Sequence, residues 1–306
     1  MSTGPLLAVV IVSWNVRDLL AACLRSLQAD LARADLSADI WVVDNGSADG
    51  TPEVVARDFP AVRLIARRDN PGFAAANNQA MRAALESAPP RYFWLLNPDT
   101  EILPGATAAL ITAMESCPHA GVAGAKLLYP DGSLQHSAFR FPGLVQLAFD
   151  LFPFPSRLYE TRLNGRYPRR LYNGDAPFFV DHPLGAAMMV RAEAVRQVGL
   201  MDEGYRIYCE EIDWCWRMRR AGWRALCVPA ARVVHHAGRS TGQVPASSFV
   251  HLWASRARLY ACHHGPLTRC LARSLVRIGM RRRLRGATPE WQEAIRQVLR
   301  AWERCS

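Results

Sequence analysis

The run Leu6-Leu7-Ala8-Val9-Val10-Ile11-Val12-Ser13-Trp14, bounded by Pro5 and Asn15, decides the fold class. It is continuously apolar and rich in valine, so both faces must be covered. That is the pattern of a buried parallel strand rather than a half-wetted one. Outward from it the chain alternates. Arg17 to Leu27 places Leu20, Cys23, Leu24 and Leu27 at helical spacing, and Ile40-Trp41-Val42-Val43 ends at Asp44 as a second buried strand. After the turn cluster Asn45–Gly50, Thr51-Pro52-Glu53 opens a helix. Val62–Ala66 and Tyr92–Leu96 read as strands, Phe73–Leu85 and Pro104–Glu115 as helices. Strand and helix alternating over roughly the first 120 residues predict an α/β fold with a mostly parallel central sheet flanked by helices. Ligands of such sheets bind outside the carboxyl ends of the strands. Three of those ends here are polar: Trp14-Asn15, Asp44-Asn45 and Asn97-Pro98-Asp99.

The 306 residues suffice for one large domain or two small ones. Half are hydrophobic and 21% charged, which excludes a disordered chain. The net charge of +10 is almost all arginine, since Lys126 is the only lysine, and it favours anionic partners. The 8 cysteines form no CxxC pair and read as reduced, which predicts a cytoplasmic protein. No basic leader precedes the first apolar run, and no window of about 18 apolar residues could span a membrane.

Residues 126–180 are rich in proline and aromatics and read as hairpins and a long loop, partly a cover for an acceptor site. Arg191–Val198 and Glu210–Ala221 read as helices, Trp223–Val228 and Arg232–His236 as strands. From Ala246 the chain is helical. Gly265–Arg285 holds seven arginines and no acid, with Leu267, Leu271, Leu275 and Ile278 keeping one apolar face; Thr288-Pro289-Glu290 caps a last helix through Trp302. The basic helix is either a solvated face or an interfacial helix on anionic lipid.

Chemistry concentrates in Tyr208-Cys209-Glu210-Glu211-Ile212-Asp213-Trp214-Cys215-Trp216. Carboxylates among apolar groups repel and desolvate one another, and their pKa rises as a general base needs. On a helix Glu210 and Asp213 share a face, with Glu211 about 100° away. A solvated acidic first turn is the plain alternative. Asp44 suits the imide N–H of a pyrimidine or ribose hydroxyls, or else is a turn aspartate. Asp99 suits Mg²⁺ or Mn²⁺, or else sits in a type I turn after Pro98. His235-His236 ends a strand and is either structural or completes a metal site. Gly238-Arg239-Ser240-Thr241-Gly242 matches a hydrolase nucleophile elbow, but Gln243-Val244-Pro245 reads as no helix start.

Taken in order, Val10–Asn15, Val42–Ser47, Asn70-Pro71-Gly72-Phe73 through Asn77, Leu96–Asp99, Gly185-Ala186, Val198–Glu203, Glu210–Asp213 and His235–Gly238 resemble the family-2 glycosyltransferases, most nearly their bacterial rhamnosyltransferase-like branch. The resemblance covers about residues 6–260. It implies a GT-A nucleotide-diphospho-sugar transferase fold over 1–245, its nucleotide-binding half at 1–125 and its acceptor half at 126–245, followed by a helical basic extension at 246–306. It implies a donor site of Ser13, Trp14, Asn15, Asp44, Asn45, Asn70, Gly72, Phe73, Asn77, Asn97, Asp99, Gly185 and Ala186, with Asp44 on the base. Asn97-Pro98-Asp99 stands where the family has its DxD metal motif, so Asp99 carries most of the contact with Mg²⁺ or Mn²⁺, and His236 or His235 sits near the metal or diphosphate. The family's Glu-Asp pair appears as Glu210-Glu211, which puts Glu211 in the base position; a glutamate reaches one carbon further, so the choice between Glu210 and Glu211 stays open, and Asp213 is held as a third catalytic candidate.

The function so implied is inverting, metal-dependent transfer of a hexose, rhamnose above all, from a dTDP- or UDP-sugar to a saccharide or polyprenyl-linked acceptor in cell-surface polysaccharide synthesis. The enzyme would be cytoplasmic, peripheral on the inner face of the plasma membrane through residues 265–285, with no nucleic acid as partner and a homodimer left open. A non-catalytic nucleotide- or sugar-binding protein of the same fold is the first alternative, and a serine hydrolase using Ser240 the second.

Overall fold

The computed structural model describes residues 5–238 and 241–304. In chain order the first half runs β1 (Leu7–Ser13), α1 (Arg17–Arg33), β2 (Ala38–Asp44), α2 (Thr51–Asp58), β3 (Arg63–Ala66), α3 (Phe73–Ser87), β4 (Tyr92–Leu96), β5 (Thr100–Ile102), α4 (Ala106–Ser116) and β6 (Ala120–Leu128). The middle holds β7 (Leu134–Gln135), β8 (Ala138–Phe139), α5 (Leu144–Leu151), α6 (Ser156–Tyr159), β9 (Phe178–Val180), β10 (His182–Pro183), β11 (Ala187–Arg191), α7 (Ala192–Val198), α8 (Glu210–Arg220) and β12 (Arg224–His235). Three helices follow: α9 (Pro245–His263), α10 (Pro266–Leu284) and α11 (Pro289–Glu303).

The main sheet has the order β3-β2-β1-β4-β11-β6-β12-β5. β1 is parallel to both β2 and β4, and β2 to β3. β11 runs antiparallel between β4 and β6, and β12 returns parallel to β6. All seven residues of β1 are buried, because alternate side chains enter cores on opposite faces of the sheet. Leu7, Val9 and Ile11 pack with Leu20, Leu24 and Leu110 on one side. Ala8, Val10 and Val12 pack with Ala76, Ala80 and Trp214 on the other. The chain winds outward from β1 to β3, then crosses back to place β4 on the other side of β1. The crevice at the carboxyl ends of β1 and β4 is therefore the topological switch point, where such sheets bind ligands.

Three features differ from expectation. β6 and β11 form central strands where none was predicted before residue 126 or after Ala186. β6 opens Ala-Gly-Val-Ala-Gly-Ala, where Val122 is the one β-branched residue among small ones, too few to signal a strand. Its glycines answer to neighbours: a Cβ on Gly124 would come within 2.2 Å of Pro183 Cβ, and one on Gly121 within 2.9 Å of Trp223 Cβ. The two expected strands at 223–236 are one strand, β12, with a register shift between Val228 and Arg232 that absorbs Pro229. A helix does start at Pro245, with Val244 at its N-cap, since proline suits the first helical turn. Ser240, the elbow's serine, lies outside the described residues.

The last three helices pack with α5 around Trp253, Tyr260, Val276, Ile295, Val298 and Trp302. The indole N–H of Trp302 donates to the Trp253 carbonyl at 3.0 Å. α10 turns Ala272, Val276 and Met280 inward, and Gly279 fits against Leu151. Of the expected apolar face only Leu275 joins this core; Leu267, Leu271 and Ile278 stay exposed. Among the described residues no helix is long and apolar enough to cross a membrane.

Candidate active site

A cavity of about 480 Å³ opens at the switch point. Its floor is built from strand ends. β1 delivers Ser13 and Trp14, the loop after β2 delivers Asn45, and the loop after β4 delivers Asn97, Pro98 and Asp99. Asn70, Gly72 and Phe73 close one side and Gly185 and Ala186 another. Buried polar atoms normally find partners, yet Ser13 Oγ, Asp44 Oδ1 and Asn45 Oδ1 have none. Asp44 itself is fully buried; its other oxygen accepts the Ser47 N–H at 2.9 Å, so the turn contact occupies only half of the carboxylate. Ser13 and Asn45 line the cavity, so a polar ligand there would satisfy their oxygens; Asp44, expected on the base, is not among the lining residues and lies fully buried.

Asn15 and Asn77 do not line this cavity. Asn15, at φ 51°, braces the turn by accepting the Ala48 N–H at its side-chain oxygen at 2.8 Å and donating its own backbone N–H to the Ser47 hydroxyl oxygen at 2.9 Å. Asn77 donates to the Phe73 carbonyl within α3. Gly72 is the clamp of this wall. At φ 105° it lets Phe73 N–H reach the Arg206 carbonyl at 2.6 Å, and a Cβ there would lie 2.2 Å from that same oxygen. Arg206 reciprocates with its guanidinium on the Asn70 carbonyl at 2.9 Å.

On the other side, Asp99 and His235 are both buried and both line the cavity. His235 Nε2 lies 3.4 Å from Asp99 Oδ1 and 3.4 Å from Asn97 Nδ2. Its Nδ1 lies 2.9 Å from Gln135 Oε1, a pure acceptor. A proton on Nδ1 satisfies that bond and leaves the Nε2 lone pair facing Asp99. His236 turns away and pairs with Glu101 Oε1 at 2.7 Å, so His235 rather than His236 is the one beside Asp99. Among the described residues no group of three or more His, Cys, Asp or Glu could hold a metal alone. One carboxylate and one imidazole lone pair nevertheless fit a divalent ion that takes its remaining oxygens from a diphosphate and water.

The acids enter from α8, whose amino end faces the cavity. Tyr208 and Cys209 adopt left-handed φ of 69° and 67°, costing on the order of 1–3 kcal/mol each. Such consecutive strain is tolerated where it aims a functional group. Glu210 is 5% exposed and its Oε2 has no partner; burial, then the charge of Glu211, pushes its pKa well above the usual carboxylate range. Glu211 is half-buried beside Gly185, where an added Cβ would meet Glu211 at 3.4 Å, and burial raises it to about 7. Asp213 is elsewhere: it takes Arg217 and His263 at 2.7 Å each and lines a separate depression. Burial pushes Asp213 up, but the bonds from His263 and Arg217 outweigh it and leave the group below its ordinary value. It anchors α8 to α9.

Sequence reasoning missed Gln135, Arg206, Tyr208 and the α9 wall of the cavity. Val244, Ser247, Ser248 and His251 line it from the start of α9, and their helical spacing was legible as one face.

The glycosyl transferase family 2 profile matches residues 8–198. The chain is 34% identical over 264 residues to the N-acetylglucosaminyl-diphospho-decaprenol L-rhamnosyltransferase of Mycobacterium tuberculosis, spanning 83% of this chain and 82% of that one. A shorter stretch of 58 residues, 19% of this chain and 22% of the other, is 43% identical to the rhamnosyltransferase WbbL of Escherichia coli. Among solved structures, GalNAc-T7 with UDP, GalNAc and Mn²⁺ aligns at a TM-score of 0.60 and 17% identity, over 84% of this chain and 48% of that chain. Staphylococcus aureus TarS aligns at 0.51 and 13% identity over 98% and 89%. The α/β sheet with its switch-point cavity is thus the GT-A fold of known glycosyltransferases, and the chain belongs to glycosyl transferase family 2 as a glycosyltransferase.

Proposed function

We propose that this glycosyltransferase moves L-rhamnose from dTDP-L-rhamnose, with inversion, onto a polyprenyl-linked saccharide at the inner face of the plasma membrane. One observation carries the reading: Asp99 with His235, and Glu210 with Glu211, line a single cavity. The transferred sugar and the lipid-linked acceptor follow the name of the mycobacterial relative, which is matched over most of its length; the dTDP carrier is our own choice.

Ser13 and Asn45 offer their unpartnered oxygens to base and ribose. Asp99 and His235 would hold Mg²⁺ or Mn²⁺, which neutralises charge developing on the leaving diphosphate. Glu211, ionised, takes the proton of the acceptor hydroxyl as that oxygen attacks the anomeric carbon. Glu210, deeper and raised by burial and by its neighbour's charge, stands beside it. Attack opposite the diphosphate inverts the anomeric centre in one displacement, without a covalent sugar intermediate. Residues 1–125 serve the donor, 126–245 the acceptor, and 246–306 form the extension, whose α9 also walls the cavity. Family membership argues against the hydrolase reading of Ser240.

The test is a donor panel by thermal shift with Mn²⁺, since a ligand bound only by the native state raises Tm by mass action. dTDP-rhamnose is expected to stabilise the protein and, with a polyprenyl-diphosphate N-acetylglucosamine acceptor, to give a rhamnosylated product. Asp99→Asn should abolish the Mn²⁺-dependent part of the shift. Donor binding without product in every acceptor tried, unchanged by Glu211→Gln, would mark a non-catalytic binding protein.

A further inference from the structure

We infer that the outward face of α10 docks on an anionic bilayer. The inference deepens the proposed function, because it names the surface that meets the membrane holding a lipid-linked acceptor. Leu267, Leu271 and Ile278 stand on that face at 74%, 46% and 59% exposure. Their spacing of four and eleven residues stacks them along one line of the helix. Arg277, Arg281, Arg282 and Arg285 flank them, all exposed. Among the described residues none of these four makes an ion pair, and the sequence has no Asp or Glu between Asp213 and Glu290. The core is served by the opposite side of the helix, through Ala272, Val276 and Met280. α10 therefore has two apolar faces, of which the fold uses one.

Aliphatic side chains ringed by guanidinium groups suit the boundary between acyl chains and anionic headgroups. A second copy fits less well, because a two-fold contact would set this acid-free face against itself. Single-stranded nucleic acid is bound by cations together with stacking aromatics, and this face presents none.

The experiment is cosedimentation of the full chain with vesicles of phosphatidylcholine alone or mixed with phosphatidylglycerol. Wild type should partition onto the anionic vesicles and come off as salt rises. Arg281→Gln with Arg282→Gln should weaken partitioning roughly thirtyfold, at about 1 kcal/mol per arginine. Ile278→Asp should weaken it as well, and both variants should keep wild-type turnover of a detergent-dispersed acceptor. Equal binding to both vesicle types, or no loss in the variants, overturns the inference. So does a dimer in sedimentation velocity that Ile278→Asp dissolves, or salt-sensitive RNA binding that outcompetes the vesicles. Wild type separates the two claims: vesicle docking by wild type with no transfer to any lipid-linked acceptor would sink the proposed function and leave the docking face standing, while Glu211→Gln, expected to lose transfer, should still bind vesicles as wild type does.

Discussion

The pH dependence of transfer should separate the two glutamates of α8. In the free protein Glu211 is raised from 4.5 to about 7 by burial. Glu210 is also raised well above its ordinary value, first by burial and then by its neighbour's charge. Because kcat/KM reports ionisations of the free enzyme, its rising limb should be centred near pH 7 and belong to Glu211. The same shift acts on stability. A carboxyl whose native pKa is raised favours the fold below its unfolded value of 4.5 and loses that contribution as pH climbs through the native value. For Glu211 the loss between pH 4.5 and about 7 is on the order of 3 kcal/mol, at about 1.4 kcal/mol per pKa unit. Glu210 adds to the slope in the same direction. Glu211→Gln should therefore cost on the order of 10²- to 10⁴-fold in transfer. It should also raise stability at pH 8 relative to wild type, with a smaller gain at pH 5. The shift of Glu211 comes from burial rather than from Glu210, so Glu210→Gln should keep the rising limb. The assays are kcat/KM from pH 5 to 9 and urea unfolding at both pH values. A limb that vanishes in Glu210→Gln and survives in Glu211→Gln would refute the assignment, and so would stability that does not fall between pH 5 and 8.

Two further perturbations probe the walls of the cavity. Gln135→Met removes the acceptor at His235 Nδ1 and frees the ring to change tautomer; Mn²⁺ affinity in the presence of dTDP, read by electron paramagnetic resonance, should fall roughly 10- to 100-fold, and Gln135→Glu should restore it. Unchanged Mn²⁺ affinity in Gln135→Met would mean that His235 is not a ligand in that orientation. Gly72→Ala meets both a left-handed φ and a carbonyl 2.2 Å from the new methyl, so Tm should drop by several degrees and donor affinity with it. A variant with wild-type Tm would show that the Arg206 segment is free to move off Gly72.

What was legible in the chain was whatever local patterning announces. β1, β2 and β4 are apolar runs that only a doubly covered sheet explains, and their carboxyl ends marked Trp14, Asn45 and Asp99 before any contact was known. β6 was hidden because neighbours, not propensity, chose its residues: Pro183 and Trp223 crowd Gly124 and Gly121. Gln135 and Arg206 were hidden for another reason, since the residues they brace, His235 and Asn70, lie 100 and 136 positions away. The acids of α8 show most plainly how a sound local rule can mislead. Helical periodicity pairs Glu210 with Asp213 on one face and sends Glu211 elsewhere, which is correct for a helix that lies sideways against its ligand. α8 instead meets the cavity end-on. At an amino terminus the first residues of the turn fan around the axis toward whatever the helix points at, so the consecutive pair Glu210 and Glu211 reaches the site while Asp213, one turn deeper, is left to hold His263 and Arg217. The left-handed pair Tyr208-Cys209 sets that approach, and the motif of adjacent acids then has a geometric cause: the start of a helix aims both neighbours at the ligand that the helix points to.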